Sequence, residues 1–156
     1  AELHKHYPQT RLMLVGTGPQ EQQLRDLAIT LEINSVVAFI INQPAIFYYG
    51  LFDCFAMSSA QEGISLALLE AMSSSLACVV TNSKSPDHTV LTNFYDGLVV
   101  ESSNQKALTE GLIRVVANAE LRKNLGAMAN KTVVDRFQKD RMIAQYDHIF
   151  SSKATR

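Results

Sequence analysis

A short apolar run at residues 54–57 is followed by a polar loop and then by a nearly all-apolar segment from Ile64 to Met72. The run has the length of a buried strand, and a segment that is apolar on every side predicts a buried helix. Gly63 marks the end of the loop between them. Open α/β sheets build ligand sites from such parts, because ligands lie outside the carboxyl ends of the strands. This stretch therefore predicts both an α/β fold and the position of its site.

Two carboxylates lie in this stretch, one just before the helix and one inside it. They are Glu62 in the loop and Glu70, about two turns into the helix. Because a carboxylate is costly to remove from water, Glu70 must reach a cleft, a protein donor or a ligand. The free N–H groups of a helix N-terminus suit phosphate, and two carboxylates beside them suit sugar hydroxyls. The alternative is an ion pair between Glu70 and an Arg or Lys elsewhere, and the spacing leaves both interpretations open.

Short apolar runs alternate with helical patterns along the rest of the chain. This alternation predicts a parallel sheet covered by helices on both faces, which is a Rossmann-like three-layer α/β/α domain with about five strands. At 156 residues, a single domain is expected, over residues 1–150, followed by a polar tail at 151–156. The predicted strands lie near residues 11–16, 36–40, 53–57, 77–81 and 97–100.

Two other features are weaker signals for a site. The turn Gly16-Thr17-Gly18-Pro19 follows the first predicted strand and precedes a helix. As a phosphate loop it lacks the third glycine of the dinucleotide fingerprint, and most such turns only redirect the chain. Further on, the aromatic side chains of Phe47 and Tyr48 could form a stacking platform, but at this spacing aromatics more often belong to the core.

Composition and charge exclude several classes of function. The net charge of −1 gives no electrostatic case for a nucleic acid or an acidic membrane. No apolar run approaches the roughly 20 residues that a transmembrane helix needs. Cys54 and Cys78 both lie in apolar strand-like runs, which predicts buried, reduced and unpaired thiols in a cytoplasmic protein.

The central stretch also resembles a known family. From Glu62 to Met72 the chain reads Glu-Gly-x-Ser-Leu-x-Leu-Leu-Glu-Ala-Met, which is similar to the Glu-x7-Glu signature of retaining GT-B glycosyltransferases of the glycosyltransferase-4 type. The resemblance continues in the Gly16–Pro19 turn and in the segment Asp96-Gly97-Leu98-Val99-Val100. It covers nearly the whole chain, but only the C-terminal half of such an enzyme, which binds the nucleotide-sugar donor.

The resemblance implies a role for each matching residue. Glu70 would accept hydrogen bonds from the ribose hydroxyls, and Glu62, the catalytic candidate, would contact hydroxyls of the donor sugar. The N–H groups at the helix start would face the pyrophosphate or the sugar, and the glycine turn would close one wall of the cleft. The implied donor-binding residues are Gly16, Gly18, Ser59, Gly63, Ile64, Ser65, Leu66 and Glu70.

The resemblance also implies what the site does not need and what lies elsewhere. No metal or further cofactor is expected, because basic side chains and helix dipoles balance the charge of the leaving diphosphate. The family's diphosphate-binding Arg and Lys lie on and after a strand that would precede Ala1, and the acceptor-binding domain precedes that strand. The chain alone is therefore expected to be inactive. Its expected partners are a nucleotide sugar and the acceptor-binding half, through which the enzyme could contact a membrane peripherally.

Some positions depart from the family pattern. Ser75 stands where a glycine is usual, and Lys84 and Ser85 stand where two adjacent glycines are usual. Glycine permits positive φ and close backbone approach, so these changes affect the shape of the donor pocket. Two alternatives follow: a diverged, non-catalytic α/β interaction module, and a half-domain of another GT-B enzyme such as a sugar-nucleotide epimerase.

Overall fold

The structure is a computed structural model that describes residues 1–59, 64–82 and 90–153. Strands and helices alternate through most of this chain, and three helices follow the last strand. Short 3₁₀ turns at Asn34–Val36, Ala45–Phe47 and Tyr49–Leu51 connect the earlier elements. In chain order the elements are α1 Glu2–His6, β1 Leu12–Val15, α2 Glu21–Thr30, β2 Val37–Ile40, β3 Cys54–Met57, α3 Leu66–Ser73, β4 Ala77–Thr81, β5 Leu98–Val100, α4 Gln105–Ala117, α5 Ala119–Arg136 and α6 Lys139–Lys153.

All five strands form within one residue of the predicted positions, and every pairing between them is parallel. The Rossmann-like α/β fold is thereby confirmed. The expectation of one sheet of about five strands is wrong, because β1 pairs with β2 in one sheet and β3, β4 and β5 form another, in that order. A sheet continues only where neighbouring strands lie about 4.8 Å apart, and no ladder joins β1 to β3 in the described part of the chain.

The three-stranded sheet is covered on both faces, and its central strand β4 is buried along its whole length. On one face, Cys78 and Val80 belong to the cluster that contains Met72 of α3 and Ala129 of α5. On the other face, Val79 packs with Val115 of α4. Side chains alternate between the faces of a strand, so the run Ala77–Thr81 supplies both cores and reads as continuously apolar until Thr81.

Helix α5 lies against the turn between α3 and β4. A Cβ atom added at Gly126 would collide with the backbone oxygen of Ser75, so only a glycine allows this approach. Ser75 itself has φ 59°, in the left-handed region. The family glycine expected at this position would hold that conformation without strain, and here a serine adopts it.

The first 40 residues contribute almost nothing to these cores. Their one buried residue is Ala28, while Leu27 and Ile29 of the same helix are 50% and 61% exposed. Helix α1 packs against α4. The unit formed by β1, α2 and β2 therefore has apolar surface without a core of its own.

The chain's last helix extends the ordered part beyond the predicted boundary. Helix α6 runs to Lys153, so residues 151–153 of the expected polar tail are helical. The apolar side chains that predicted this helix are partly exposed in it, and Tyr146 stacks on Phe150 with ring centroids 6.3 Å apart.

Two sequence expectations about burial are only partly right. Cys54 and Cys78 are both free thiols, but only Cys78 is buried and Cys54 is half-buried, because β3 is the edge strand of its sheet. Burial raises the pKa of both thiols. Phe47, expected in the core, is 71% exposed.

Replacing Gly126 with alanine tests the close approach of α5. Alanine favours a helix by about 1 kcal/mol over glycine, but the collision with a backbone oxygen cannot be relieved by a side-chain rotation. We expect a net loss of about 2 kcal/mol in the free energy of unfolding, measured by denaturant melts, since the collision costs up to about 3 kcal/mol. Gly50→Ala is the control, since a Cβ there meets nothing within 4 Å. An unchanged stability of Gly126→Ala would contradict this packing.

Candidate functional site

The carboxyl ends of β3 and β4 meet at a buried threonine. The hydroxyl of Thr81, the last residue of β4, donates to the backbone oxygen of Ser59 at 2.8 Å and lies 3.5 Å from that of Met57. This contact holds the chain at the point where it leaves β3. Ser59 therefore lies at the carboxyl edge of the sheet, where the sequence predicted a site.

The loop after Ser59 carries two of the predicted site residues. Glu62 and Gly63 lie outside the described residues. Beyond them, Ile64 is exposed, and Ser65 caps α3 by accepting a hydrogen bond from the N–H of Leu68 at 3.4 Å. Ser65 thus begins the helix as a serine N-cap does.

Helix α3 is buried on one face only, which corrects the expectation of a helix buried on every side. Leu68, Ala71 and Met72 face the core, while Leu66 in the first turn is 74% exposed. Ile64, which was expected inside the helix, precedes its N-cap and is 57% exposed. The sequence pattern predicted burial on every side because the outer face also carries an apolar residue, Leu66. Glu70 lies on the exposed side of α3.

The Glu70 carboxylate is held by a tyrosine. The hydroxyl of Tyr49 donates to Oε2 of Glu70 at 2.9 Å, and Tyr49 is only 3% exposed. Within the described residues, none of the ion pairs includes Glu70. Of the interpretations that the spacing left open, a neutral protein donor is the one seen among the described residues, and the contact of Glu70 with a ligand stays a prediction.

Tyr49 remains a hydrogen-bond donor under all ordinary conditions. Burial, and then its hydrogen bond to Glu70, raises the pKa of Tyr49 to about 12. Sequence reasoning missed this residue because it lies 21 positions before Glu70. The available signal was a tyrosine in an apolar segment, since a buried hydroxyl requires a partner.

The predicted glycine turn lies at the carboxyl end of the other sheet. Gly16 follows β1, has φ 139° and donates its N–H to the oxygen of Ile40 at 2.9 Å. No atom lies within 4 Å of a Cβ built at Gly16 or at Gly18, so the turn is open. Among the described residues, no hydrogen bond joins this turn to Ser59, Ser65 or Glu70. Ser59 thus follows β3 and Ser65 begins α3, while the glycines follow β1 in the other sheet.

Two further observations concern metals and membranes. In the three described ranges, no three His, Cys, Asp or Glu side chains converge as metal ligands would. No helix in those ranges combines the length and the apolar character needed to cross a bilayer.

Comparison with known proteins identifies the fold. The C-terminal domain of a glycosyl transferase group 1 family protein, LpcC from Francisella tularensis, superposes with a TM-score of 0.77 at 20% identity over 88% of this chain and 75% of that chain. Alr3699/HepE from Anabaena, in complex with UDP, superposes with a TM-score of 0.85 at 17% identity over 93% of this chain and 42% of that one. The chain has the fold of the C-terminal domain of a GT-B glycosyltransferase.

Sequence comparison gives the family. An uncharacterized glycosyltransferase of Haemophilus influenzae is 32% identical over 120 residues, which are 76% of this chain and 34% of that protein. The sequence profile of the family "Glycosyl transferases group 1" matches residues 1–132. The chain belongs to this family. It spans about a third of the length of the curated relatives it matches.

Proposed function

We propose that this chain is the donor-binding domain of a retaining glycosyltransferase, which transfers a sugar from a nucleoside-diphosphate sugar to a glycan, lipid or other acceptor. The observation that carries the proposal is the exposed Glu70 carboxylate on α3. Tyr49 holds one of its oxygens, and no described residue donates to the other. An ionised carboxylate has room for about four hydrogen bonds, so most of its acceptor capacity is left for ligand hydroxyls.

Each predicted site residue has a role in this proposal. Glu70 accepts from the ribose hydroxyls, and Glu62 contacts the donor sugar. The backbone N–H groups from Gly63 through Ile64 and Ser65 to Leu66 face the diphosphate or the sugar at the start of α3, where the helix dipole favours negative charge. Three further residues line the cleft at the carboxyl ends of the strands: Gly16, Gly18 and Ser59.

The proposed reaction needs no metal ion. Helix N-termini and basic side chains can stabilise a leaving diphosphate electrostatically. The relative HepE was crystallised with UDP, and its likeness to this chain supports a nucleotide in the corresponding cleft. The transferred sugar would keep its anomeric configuration, as the resemblance of the Glu-x7-Glu segment implies.

We propose further that polypeptide upstream of Ala1 supplies both the acceptor-binding half and one additional strand between β1 and β3. All strand pairings within the two sheets are parallel, and β1 and β3 each have one unpaired edge in the described chain. Helix α1, which leads into β1, packs on α4 and so lies on the helical layer of the second sheet. A crossover helix from a strand between the two sheets would occupy this position. The length of the relatives leaves ample chain for such a strand.

Hydrogen bonding in β1 shows which amides the added strand would cover. The N–H of Gly16 donates to the oxygen of Ile40 in β2. Because the N–H groups of successive residues point to opposite edges of a strand, those of Met13 and Val15 face away from β2. By the same alternation, the N–H of Phe39 faces the outer edge of β2. One sheet in the order β2-β1-new strand-β3-β4-β5 would cover Met13 and Val15 but not Phe39.

Amide hydrogen exchange tests the added strand. We compare the 156-residue chain with a longer protein that includes the upstream region, and we expect exchange at Met13 and Val15 to slow by about tenfold or more in the longer protein. Phe39 is the internal control and should not change. Protection at Phe39 instead would put the new strand at the outer edge, and no change at any of the three amides would refute the proposal. Concentration-dependent protection in the short chain would show that a second copy fills the gap.

The 156-residue chain alone should transfer no sugar, because the basic diphosphate ligands and the acceptor site lie upstream in this proposal. The measurement is release of nucleoside diphosphate from UDP-, GDP- and ADP-sugars by the short chain and by the longer protein. Release by the longer protein only is the expected result. Turnover by the short chain alone would contradict the proposal.

Glu70→Gln tests the role of the carboxylate in the longer protein. The change keeps the shape of the side chain and removes its charge. We expect the affinity for UDP, GDP or ADP, whichever binds best, to fall by roughly 1–3 kcal/mol, the scale of a charge-assisted hydrogen bond. The melting temperature should barely change, because Glu70 is exposed.

Titration calorimetry and a thermal melt on the same samples give both quantities. Glu110→Gln, on the exposed face of α4, is the matched control and should alter neither. A large stability loss with unchanged affinity would assign Glu70 a structural role. Absence of nucleotide binding by the unmutated longer protein would favour the non-catalytic module.

A further inference from the structure

We propose that Tyr49 is a positioning residue that fixes the Glu70 carboxylate and thereby sets how strongly the site prefers a ribonucleotide to a 2′-deoxyribonucleotide. The inference rests on the proposed ribose contact of Glu70. It concerns a residue outside the Glu-x7-Glu segment, and the geometry of a single hydrogen bond carries it.

The direction of that hydrogen bond follows from the distances. The Tyr49 hydroxyl lies 2.9 Å from Oε2 of Glu70 and 3.3 Å from the backbone oxygen of Ala67. A phenol has one proton to donate, and a charged acceptor at the shorter distance binds it more strongly. Tyr49 therefore donates to Glu70, and the Ala67 oxygen is the weaker, secondary acceptor.

The tyrosine side is rigid. The Tyr49 ring is buried in the cluster that includes Leu68, Ala71 and Met72, and it meets the ring of Phe52 edge to face with centroids 6.0 Å apart. A ring packed in this way cannot swing its hydroxyl to another partner. The donor position is consequently set by the core.

The glutamate side is free to move without that anchor. Glu70 is exposed and has a long side chain with several rotatable bonds, whose ordering on binding costs affinity. The hydrogen bond to Tyr49 holds one carboxylate oxygen before the ligand arrives. That oxygen keeps a second acceptor position, and the other oxygen is open. Two neighbouring ribose hydroxyls require both oxygens in a defined orientation, whereas a deoxyribose offers one hydroxyl fewer.

The test uses Tyr49→Phe in the protein that includes the upstream region. Phenylalanine keeps the ring and its packing and removes only the hydroxyl. Affinities are measured for UDP, GDP and ADP and for their 2′-deoxy counterparts, and the pair that the unmutated protein binds best is used. We expect Tyr49→Phe to weaken binding of the ribonucleotide about three- to tenfold, and to leave binding of the deoxynucleotide nearly unchanged. The preference for ribose should fall by the same factor.

Three controls separate the outcomes. Tyr48→Phe makes the same chemical change one residue away and should alter neither affinity. Glu70→Gln should remove most of the ribose preference, and adding Tyr49→Phe to Glu70→Gln should change it little further, because the anchored charge is already gone. A thermal melt of each variant reports any loss of packing.

Two results would overturn the inference in distinguishable ways. If Glu70→Gln removes the ribose preference and Tyr49→Phe leaves it intact, the role of Tyr49 is wrong and the proposed function stands. The same conclusion holds if Tyr49→Phe weakens the binding of both nucleotides equally and also lowers the melting temperature, since both changes would then report a loss of structure. If the unmutated protein shows no ribose preference, or Glu70→Gln does not change it, the ribose contact itself fails and the inference with it.

Discussion

The packing of both helical layers onto β4 is the constraint on which the rest of the molecule depends. All five residues of this strand are buried, and alternate side chains enter different cores. Helix α5 approaches the turn at Ser75 so closely that position 126 has room only for a glycine. This approach locks α3 against α5, and the exposed face of α3 then has a fixed direction. The position of Glu70 is a consequence of how tightly the opposite face of its helix is packed.

The sequence predicted the elements of this fold better than their assembly. Each strand is a largely apolar run of three to five residues, and such runs are visible without a structure because strands of parallel sheets are typically rich in apolar residues. Whether β1 and β3 pair depends on contacts between segments 40 residues apart, which no local pattern encodes. The expectation of a single sheet therefore failed at the point where local reasoning has no information.

The same distinction between local patterns and distant contacts applies to the candidate site. Glu70, Ser59 and Ser65 were predicted from one segment of the chain. In the structure Ser59 follows β3, Ser65 caps α3 and Glu70 lies on the exposed side of that helix. The partner of Glu70 was not identified, because Tyr49 reaches it across the core from a 3₁₀ turn. The outer face of α3 was expected to be buried because the segment from Ile64 to Met72 is almost entirely apolar, yet Leu66 is exposed, and apolar residues on an exposed surface are common in proteins. Composition alone could not tell which face the sheet would cover.

The bond from Thr81 to the backbone of Ser59 gives the loop after β3 an unusual mechanical property. The loop leaves its own strand, but its first residues are tethered to the neighbouring one. A displacement of β4 relative to β3 would therefore be transmitted to Ser59 through this hydrogen bond. The same hydroxyl lies 3.5 Å from the backbone oxygen of Met57, so the last residue of β3 and the residue two positions beyond it are both held to the end of β4 by one side chain.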